Sequence, residues 1–407
     1  MKIILVDKLY YPYSGVQDYF FDLVKVLQQH GHHVIPYDGY QRIAIDTFDT
    51  SALQKTISKK TIWQAINALY SFRANRAFGK LLDEEKPDIV HINNIHHNIS
   101  PSLLYEANKR KIPSIYHLHD YKLVCPTYRL YRKGNICKEC EHGKYFQLVK
   151  NRCFLHDCYN FKENIFLFIE AIFYKYIMCV HQMVDVFIVS SNYVKSIYED
   201  MGFNGNIQVI PYFVFPSFFL EKKAKKVIKT GIYFGRIVPE KGVLGLIQAS
   251  SSLNIDIQIA GVGPQLSELK DYCLTNAIQN VSFTGFLTKH ELGRHICNAD
   301  VTIVPSLWPE PFGKTIIESF SVGRPVIASN NGGIPELVRH KENGLLYDSR
   351  DKNGLRNALR EFLMLSKQRN AELEKHAYKT WKERYNPDIH YKKLMGLYMS
   401  LINKRSS

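Results

Sequence analysis

Residues 298–318 read Asn-Ala-Asp-Val-Thr-Ile-Val-Pro-Ser-Leu-Trp-Pro-Glu-Pro-Phe-Gly-Lys-Thr-Ile-Ile-Glu, and this stretch decides the fold. Its first nine residues have the pattern of a buried β-strand, and its last positions follow a helical pattern. Glu310 therefore falls in a strand-to-helix loop, where open α/β sheets bind their ligands. Glu318, roughly two helical turns further on, would share much the same face. An alternative role for an acid at a helix N-terminus is to complement the helix dipole. That role would explain Glu310, but it would not explain Glu318, which lies about two turns into the helix beside the apolar Ile316 and Ile317.

Both halves of the 407-residue chain alternate strand and helix patterns around this stretch. The predicted strands are residues 2–7, 33–36, 88–93, 112–118 and 184–190 in the first half, and 231–236, 255–260, 281–283, 301–305 and 325–329 in the second. Such alternation predicts a parallel, doubly wound sheet in each half. The short likeness between residues 183–191 and 298–306 suggests equivalent strands in two similar domains.

The turn Glu310-Pro-Phe-Gly, with a second glutamate eight residues after the first, resembles the signature of the GT4 family of retaining glycosyltransferases. The resemblance implies the GT-B fold: two Rossmann-like doubly wound domains facing across a cleft, with a C-terminal helix crossing back to the N-terminal domain. It also implies a nucleotide-sugar donor. Glu310 and the turn at Phe312 and Gly313 would then hold the sugar, and Glu318 the ribose.

Two cations match the family's diphosphate ligands. Arg236 ends a predicted strand, and Lys241 lies at the start of the next helix, as in the family's Gly-Arg…Glu-Lys-Gly pattern. Charge-assisted hydrogen bonds of this kind contribute roughly 1.5–3 kcal/mol each. A solvated basic loop would explain either residue alone. Gly15 opens the first helix, although Ser14 replaces the first glycine of the usual family pair, and Gly333 lies in a loop that lines the donor site in the family.

His119 matches a family histidine beside the donor sugar, so His119, Glu310, Arg236 and Lys241 are the predicted catalytic residues. His91 is a weaker candidate for the acceptor side. The resemblance implies that catalysis requires no metal: the two cations stabilise the departing diphosphate while the acceptor attacks the same sugar face.

The length suits two domains. Their expected limits are 1–212 for the acceptor domain (with a Cys-rich insertion at about 121–163), 213–229 for a linker, 230–380 for the nucleotide-sugar domain and 381–407 for the returning helix. The net charge of +15 predicts an anionic partner. Nucleic acid is the least favoured, because no binding motif accompanies the charge. The first residues read as a strand rather than as a signal peptide, so a cytoplasmic protein is expected.

Five of the eight cysteines fall within residues 125–158. Cys137 and Cys140 have zinc-knuckle spacing, and Cys125, Cys153 and Cys158 offer the remaining thiolates. Cys125, Cys137, Cys140 and Cys153 are the predicted ligands of a structural zinc, although sequence alone does not show which thiols meet. Reduced cysteines that simply pack as small buried residues are the alternative.

Aromatic residues alternate with lysines and arginines between residues 144 and 173, a composition that suits anionic membrane surfaces. A lipid-linked acceptor and a place at the inner face of the cell membrane are therefore expected. The resemblance to the family implies a glycan or lipid-linked acceptor in cell-surface polysaccharide synthesis. An ordinary helical core would explain the aromatics equally well. A nucleotide-sugar 2-epimerase, or a non-catalytic nucleotide-sugar-binding protein, is the alternative function.

Overall fold

The computed structural model describes residues 1–8, 15–38, 67, 69–95, 99–132, 135–151, 153, 161–216 and 228–406. It divides into two compact units. The N-terminal unit comprises Met1–Pro211 and His390–Ser407, and the C-terminal unit comprises Tyr212–Ile389. Most of the predicted linker 213–229 lies outside the described residues. Among those that are described, no helix has the length and apolar character needed to cross a bilayer.

The N-terminal unit is built on a six-stranded parallel sheet. Its strands are β1 (Lys2–Asp7), β2 (His33–Tyr37), β3 (Ile89–Asn94), β4 (Ser114–Leu118), β7 (Val186–Val189) and β8 (Ile207–Val209), in the spatial order β2-β1-β3-β4-β7-β8. These strands are apolar and buried along nearly their whole length, as expected of a sheet covered on both faces.

Helices connect these strands. They are α1 (Gly15–Gln29), α2 (Phe72–Glu85), α3 (Ser102–Lys109), α6 (Val180–Met183) and α7 (Asn192–Asp200). Ser71 and Ser191 cap α2 and α7, each accepting a backbone N–H two or three positions into the helix. The first helix ends at Gln29, and Gly31, two residues later, has a φ of 77°.

An insertion separates β4 from β7. It holds a short antiparallel hairpin, β5 (Tyr131–Arg132) and β6 (Asn135–Ile136), followed by α4 (Gln147–Lys150) and α5 (Phe161–Ile172). A π-helical turn at Phe173–Ile177 extends α5. One contact anchors the insertion deeply: Nζ of Lys122 lies 2.6 Å from the Glu170 carboxylate, and both side chains are almost completely buried. Removing one partner of such a pair costs roughly 3–5 kcal/mol.

The C-terminal unit has a second six-stranded parallel sheet. It consists of β9 (Lys229–Phe234), β10 (Ile255–Ala260), β11 (Val281–Gly285), β12 (Val301–Val304), β13 (Val326–Ser329) and β14 (Gly344–Tyr347), in the order β11-β10-β9-β12-β13-β14. Its helices are α8 (Val243–Ser250), α9 (Leu266–Thr275), α10 (Lys289–Asn298), α11 (Lys314–Ser321), α12 (Ile334–Leu337), α13 (Gly354–Met364) and α14 (Lys367–Arg384). One core packs Ile257, Ile303 and Phe362 between the sheet and these helices.

The last helix, α15 (Pro387–Ser406), belongs to the N-terminal unit from His390 onward. Nε2 of His390 lies 3.1 Å from Oη of Tyr19, and Arg405 donates to Asp185 at 2.6 Å. The returning helix and the two doubly wound sheets confirm the predicted fold class.

Two predictions about the strands need correction. Strands β8 and β14 were not predicted, because three or four apolar residues carry too little periodicity. The suggested equivalence of β7 and β12 is wrong. Strand β12 lies directly beside the first strand of its sheet, whereas β7 lies three places away from β1.

Candidate active site

The strand order of the C-terminal sheet reverses between β9 and β12. From β9 the chain proceeds through β10 and β11 on one side, and β12, β13 and β14 follow on the other. The loops that leave β9 and β12 therefore diverge at the carboxyl edge of the sheet, opening a crevice for ligands. The six residues predicted to hold the diphosphate, sugar and ribose all follow one of these two strands: Arg236, Lys241, Glu310, Phe312, Gly313 and Glu318.

The loop after β9 carries the two cations. Arg236 is exposed, and its backbone carbonyl accepts a 2.6 Å hydrogen bond from Tyr233. A 3₁₀ turn at Pro239–Lys241 follows and ends at Gly242, whose φ is 70°. A Cβ at Gly242 would stand 2.0 Å from the carbonyl oxygen of Pro305. Only glycine allows this turn to pack so closely on the loop after β12.

Lys241 and Glu310 form the centre of this site. Nζ of Lys241 donates to Oε1 of Glu310 at 2.5 Å, and Ser306 donates to the same oxygen at 2.5 Å. Burial raises the pKa of Glu310, but Lys241, Ser306 and Trp308 together outweigh burial and hold that pKa below its ordinary value. Glu310 is therefore ionised and lies next to the Lys241 ammonium group. The Trp308 ring lies 5.9 Å from the Lys241 ammonium.

The turn after Glu310 leads into α11. The Phe312 side chain is buried, packing edge-on against Tyr212 at 5.2 Å and Tyr385 at 5.9 Å between centroids. This anchor leaves only the backbone of Phe312 for contact with a ligand. Gly313 adopts a φ of 100° and begins the helix, whose first N–H groups have no intrahelical acceptor.

Glu318 lies on α11 as predicted. Its carboxylate is 3.9 Å from Nζ of Lys314, one turn earlier, and its side chain is about one-quarter exposed (27%). Ile316 and Ile317 beside it are fully buried. Burial of each side chain stabilises the packing of the helix by roughly 1.5–3 kcal/mol, so Glu318 lies on a firmly packed element.

The loop after β13 packs against the backbone of Glu310. The Gly333 amide donates to the carbonyl oxygen of Glu310 at 2.7 Å. A Cβ at Gly332 would stand 2.3 Å from the same oxygen, and its φ is 62°. The two glycines therefore position the Glu310 backbone. This role for Gly333 does not exclude the predicted contact with a donor.

In the N-terminal unit, His119 belongs to a hydrogen-bonded chain at the carboxyl ends of β1, β3 and β4. Nε2 of His119 lies 2.8 Å from Oδ1 of Asn93. The Asn93 amide donates to Asp7, which also accepts from Gln17 at 3.3 Å. Because a carboxylate only accepts, the Asn93 amide nitrogen faces Asp7 and its oxygen faces His119. Nε2 therefore carries the ring proton, and Nδ1 is the acceptor.

The His119 ring is neutral in this environment. Burial lowers its pKa to about 3; Asn93 opposes that effect, and Lys8 adds to it. His117 stacks on His119 with centroids 4.1 Å apart, and burial also holds the pKa of His117 well below its usual range.

The prediction that His91 faces an acceptor is wrong. His91 lies within β3 and is fully buried, with Nδ1 2.6 Å from Oη of Tyr398 on α15. Burial lowers its pKa to about 3. Its role is to pack the sheet against the returning helix. Gly15 is the first residue of α1, as predicted, whereas Ser14 lies outside the described residues.

The four predicted zinc ligands lie in the insertion and form no disulfide with the residues that the structure describes. Burial raises the pKa of Cys140 above its ordinary range, and the thiols of Cys125, Cys153 and Cys137 raise it further. Within the described part of the chain, no three His, Cys, Asp or Glu side chains are grouped so that they could hold a metal ion. The zinc site stays a prediction.

Comparison with known proteins identifies the family. The family described as "Glycosyltransferase Family 4" matches residues 13–218, and the one described as "Glycosyl transferases group 1" matches residues 218–380. The chain belongs to glycosyltransferase family 4. The protein is therefore a glycosyltransferase, and the predicted enzyme class is confirmed.

Relatives of this family 4 glycosyltransferase extend over nearly the whole chain. An uncharacterized 42.6 kDa protein in the cps region of Klebsiella pneumoniae is 26% identical over 83% of this chain and 88% of its own. Among solved structures, sucrose-phosphate synthase from Thermosynechococcus elongatus aligns with a TM-score of 0.71 at 18% identity, covering 99% of both chains. Anabaena HepE in complex with UDP-glucose aligns at 0.62 and 18%, covering 98% of this chain and 100% of its own. These structures support the GT-B fold.

Sequence reasoning missed several residues of the site. Ser306 and Trp308 belong to the opening stretch, but nothing in their spacing marks them as partners of Glu310. Asp7 and Asn93 each lie at the end of an apolar strand, where a buried polar residue signals a site. That signal was available and was not used.

Proposed function

We propose that this glycosyltransferase transfers a sugar from a UDP- or GDP-sugar to a glycan or lipid-linked acceptor, with retention of the anomeric configuration. The observation that carries the proposal is the Lys241–Glu310 pair at the point where the strand order of the C-terminal sheet reverses. It places a cation and an ionised carboxylate side by side, which suits a ligand that joins a diphosphate to a polyhydroxylated sugar.

The cations would bind the diphosphate. An ammonium group has three donors, and Lys241 directs one of them to Glu310, which leaves two for phosphate oxygens. Arg236 lies a few residues before Lys241 in the same loop and is exposed. Its guanidinium makes no hydrogen bond or ion pair with the residues that the structure describes. Its fork of N–H groups matches a phosphate. The two together would stabilise the charge that develops on the leaving diphosphate.

The glutamates would hold the two ends of the donor. Glu310 would accept hydrogen bonds from sugar hydroxyls, aided by the N–H groups of the Phe312–Gly313 turn. Glu318 would accept from the ribose hydroxyls, which are weaker donors than its present partner Lys314. In a retaining transfer without an enzyme nucleophile, the acceptor attacks the face that the diphosphate leaves, and a diphosphate oxygen takes the acceptor's proton. Neutral His119 would orient a sugar hydroxyl by accepting a hydrogen bond from it.

Cell-surface polysaccharide synthesis is the setting that we propose. The relative in the cps region of Klebsiella pneumoniae supports it. HepE, solved with UDP-glucose, supports a uridine nucleotide as the first donor to test.

A donor screen tests the proposal. Purified protein is incubated with UDP- and GDP-sugars, and nucleotide binding is measured by calorimetry while slow donor hydrolysis is followed by release of UDP or GDP. One donor is expected to bind and to hydrolyse. Once an acceptor is found, NMR of the product should show the donor's own anomeric configuration. An inverted product would refute retention.

A pair of variants tests the diphosphate site. Arg236→Ala/Lys241→Ala should abolish donor binding and hydrolysis. The matched control, Arg360→Ala/Lys379→Ala, removes two exposed cations from α13 and α14 and should change neither. Full activity in the first double variant would overturn the assignment.

A further inference from the structure

The N-terminal unit exposes large apolar side chains on one stretch of the insertion. Ile165 and Ile169 are one turn apart on α5, and Tyr176 and Ile177 follow two turns later in the π-helical turn. Phe146 and Val149 lie at the neighbouring helix α4. These six residues, named here the α5 surface, are exposed by 39–68%.

Their proximity is visible in the packing of the two segments. Helix α4 packs beside α5. A Cβ at Gly143, just before α4, would stand 2.5 Å from Oη of Tyr176 and 2.6 Å from Nζ of Lys175. Lys175 also lies 5.7 Å from the centroid of the Tyr145 ring. The segment before α4 therefore touches the π-helical turn, and the six apolar side chains belong to one face.

This face is exceptional for a surface helix. The inner side of the same segment buries the apolar residues Leu167 and Tyr174 together with Glu170. Apolar residues thus lie on both the inner and the outer side of α5, whereas a surface helix normally has one apolar face. In the C-terminal unit, by contrast, the exposed apolar residues Leu274, Met364 and Tyr378 lie on three different helices.

The border of the α5 surface is basic. Lys144, Lys150 and Lys175 lie among the apolar residues, and Lys144 pairs with Glu141 at 3.2 Å. The whole chain has a net charge of +15. Apolar side chains bordered by lysines match the interface of an anionic bilayer, where the apolar groups enter the acyl boundary and the lysines meet lipid phosphates.

We propose that the α5 surface binds the surface of an anionic lipid bilayer. The opposite side of the same helix carries Glu170, whose buried pair with Lys122 ties α5 to the loop that directly follows His119. A bilayer that contacts α5 would therefore be joined, through this buried ion pair, to the loop that follows His119. The proposal deepens the proposed function, since it implies an acceptor held at the membrane, but its test needs no transfer reaction.

Vesicle flotation tests the proposal with the full-length protein. Vesicles of phosphatidylcholine with 30% phosphatidylglycerol are compared with pure phosphatidylcholine, a composition chosen at roughly the anionic content that recruits basic segments. The protein is expected to float with the anionic vesicles at low salt and to be released at high salt. Phe146→Ser/Ile177→Ser should reduce the bound fraction about tenfold.

The matched control is Leu274→Ser/Met364→Ser, which removes two residues that are even more exposed (79% and 84%) in the C-terminal unit. It should float as the wild type does. Equal loss in both double variants, or no flotation of the wild type, would overturn the proposal. A dimer in light scattering that Phe146→Ser/Ile177→Ser converts to a monomer would instead assign the surface to a second copy. Donor hydrolysis should be unchanged in both variants, so its failure in the wild type would bear on the proposed function alone.

Discussion

Lys241, Ser306 and Glu310 form a compact charged group whose geometry separates two roles for the glutamates. Glu310 is buried and fixed by two donors to one oxygen, whereas Glu318 is partly exposed and its carboxylate lies 3.9 Å from Lys314. We expect Glu310→Gln to lower kcat about 100-fold, since a preorganised charge at the reacting sugar is lost. Glu318→Gln should raise the KM for the donor about tenfold with little change in kcat. Steady-state kinetics with varied donor would show the split, and the reverse pattern would exchange the two assignments.

Asn93 holds the ring of His119 in one tautomer. Asn93→Ala removes the acceptor of Nε2–H and leaves Asp7 one donor short, so a loss of about 1–3 kcal/mol in stability is expected. The specific signature is spectroscopic. ¹⁵N NMR of the wild type should show His119 protonated at Nε2, and Asn93→Ala should show a mixture of tautomers. A wild-type ring protonated at Nδ1 would contradict the hydrogen-bonded chain.

The turn before α8 shows how one element depends on a single backbone position. Gly242→Ala places a methyl group against the Pro305 carbonyl and forces a left-handed conformation, which by itself costs about 1–2 kcal/mol. The displaced turn should also move Lys241, so donor affinity should fall. Gly245, within α8, has open space around its Cβ, and Gly245→Ala should gain about 0.5–1 kcal/mol without loss of affinity. Chemical denaturation and calorimetry of both variants make the comparison.

The cysteine insertion remains the element to test for metal. A zinc ion would have to displace the thiol protons of groups whose pKa burial raises, so metal uptake should release protons and should strengthen with pH. Elemental analysis of protein purified without chelator is expected to give one equivalent of zinc, lost in Cys137→Ser/Cys140→Ser. Cys273→Ser/Cys297→Ser, two buried cysteines of the C-terminal unit, is the control. Less than a tenth of an equivalent would end the idea.

At the scale of elements, the sequence predicted most strands, the βαβ order and the residues that end the central strands. Buried parallel strands are runs of apolar residues that stand out locally, and Glu310 and Glu318 are marked by their spacing. The contact between Asn93 and Asp7 could not be predicted, although each residue is marked by its place at a strand end, because it depends on which strands become neighbours. The contact between Ser306 and Glu310 depends on the path of one loop, which residue spacing does not fix. His91 was misread because its true partner, Tyr398, lies 307 positions away.

For the molecule as a whole, the buried histidines of the N-terminal unit predict acid sensitivity. Burial lowers the pKa of His91 and His119 to about 3 and that of His390 to about 4. Below pH 6.5 these histidines bind protons in the unfolded chain but stay neutral in the folded chain. The free energy of unfolding therefore falls as the pH drops from 6.5 toward 4. Each of these histidines lowers the free energy of unfolding by at most about 1.4 kcal/mol for each pH unit of acidification.

Urea unfolding at several pH values between 7.5 and 4.5 would reveal this dependence. His390→Gln should flatten the slope, whereas substitution of the exposed His290 should leave it unchanged. A slope that is the same in all three proteins would contradict the assignment of proton exclusion to His390.

The placement of α15 has a consequence for biosynthesis. Tyr19, His32 and Asp185 all take partners from His390, Tyr391 and Arg405, which leave the ribosome only after the whole C-terminal unit. The unit whose synthesis begins first therefore cannot finish folding until translation has passed through the entire C-terminal unit. During that interval the partly folded N-terminal sheet lacks its final helix. Nascent chains arrested before residue 390 should consequently be far more open to chaperones and proteases in their first half than in their second.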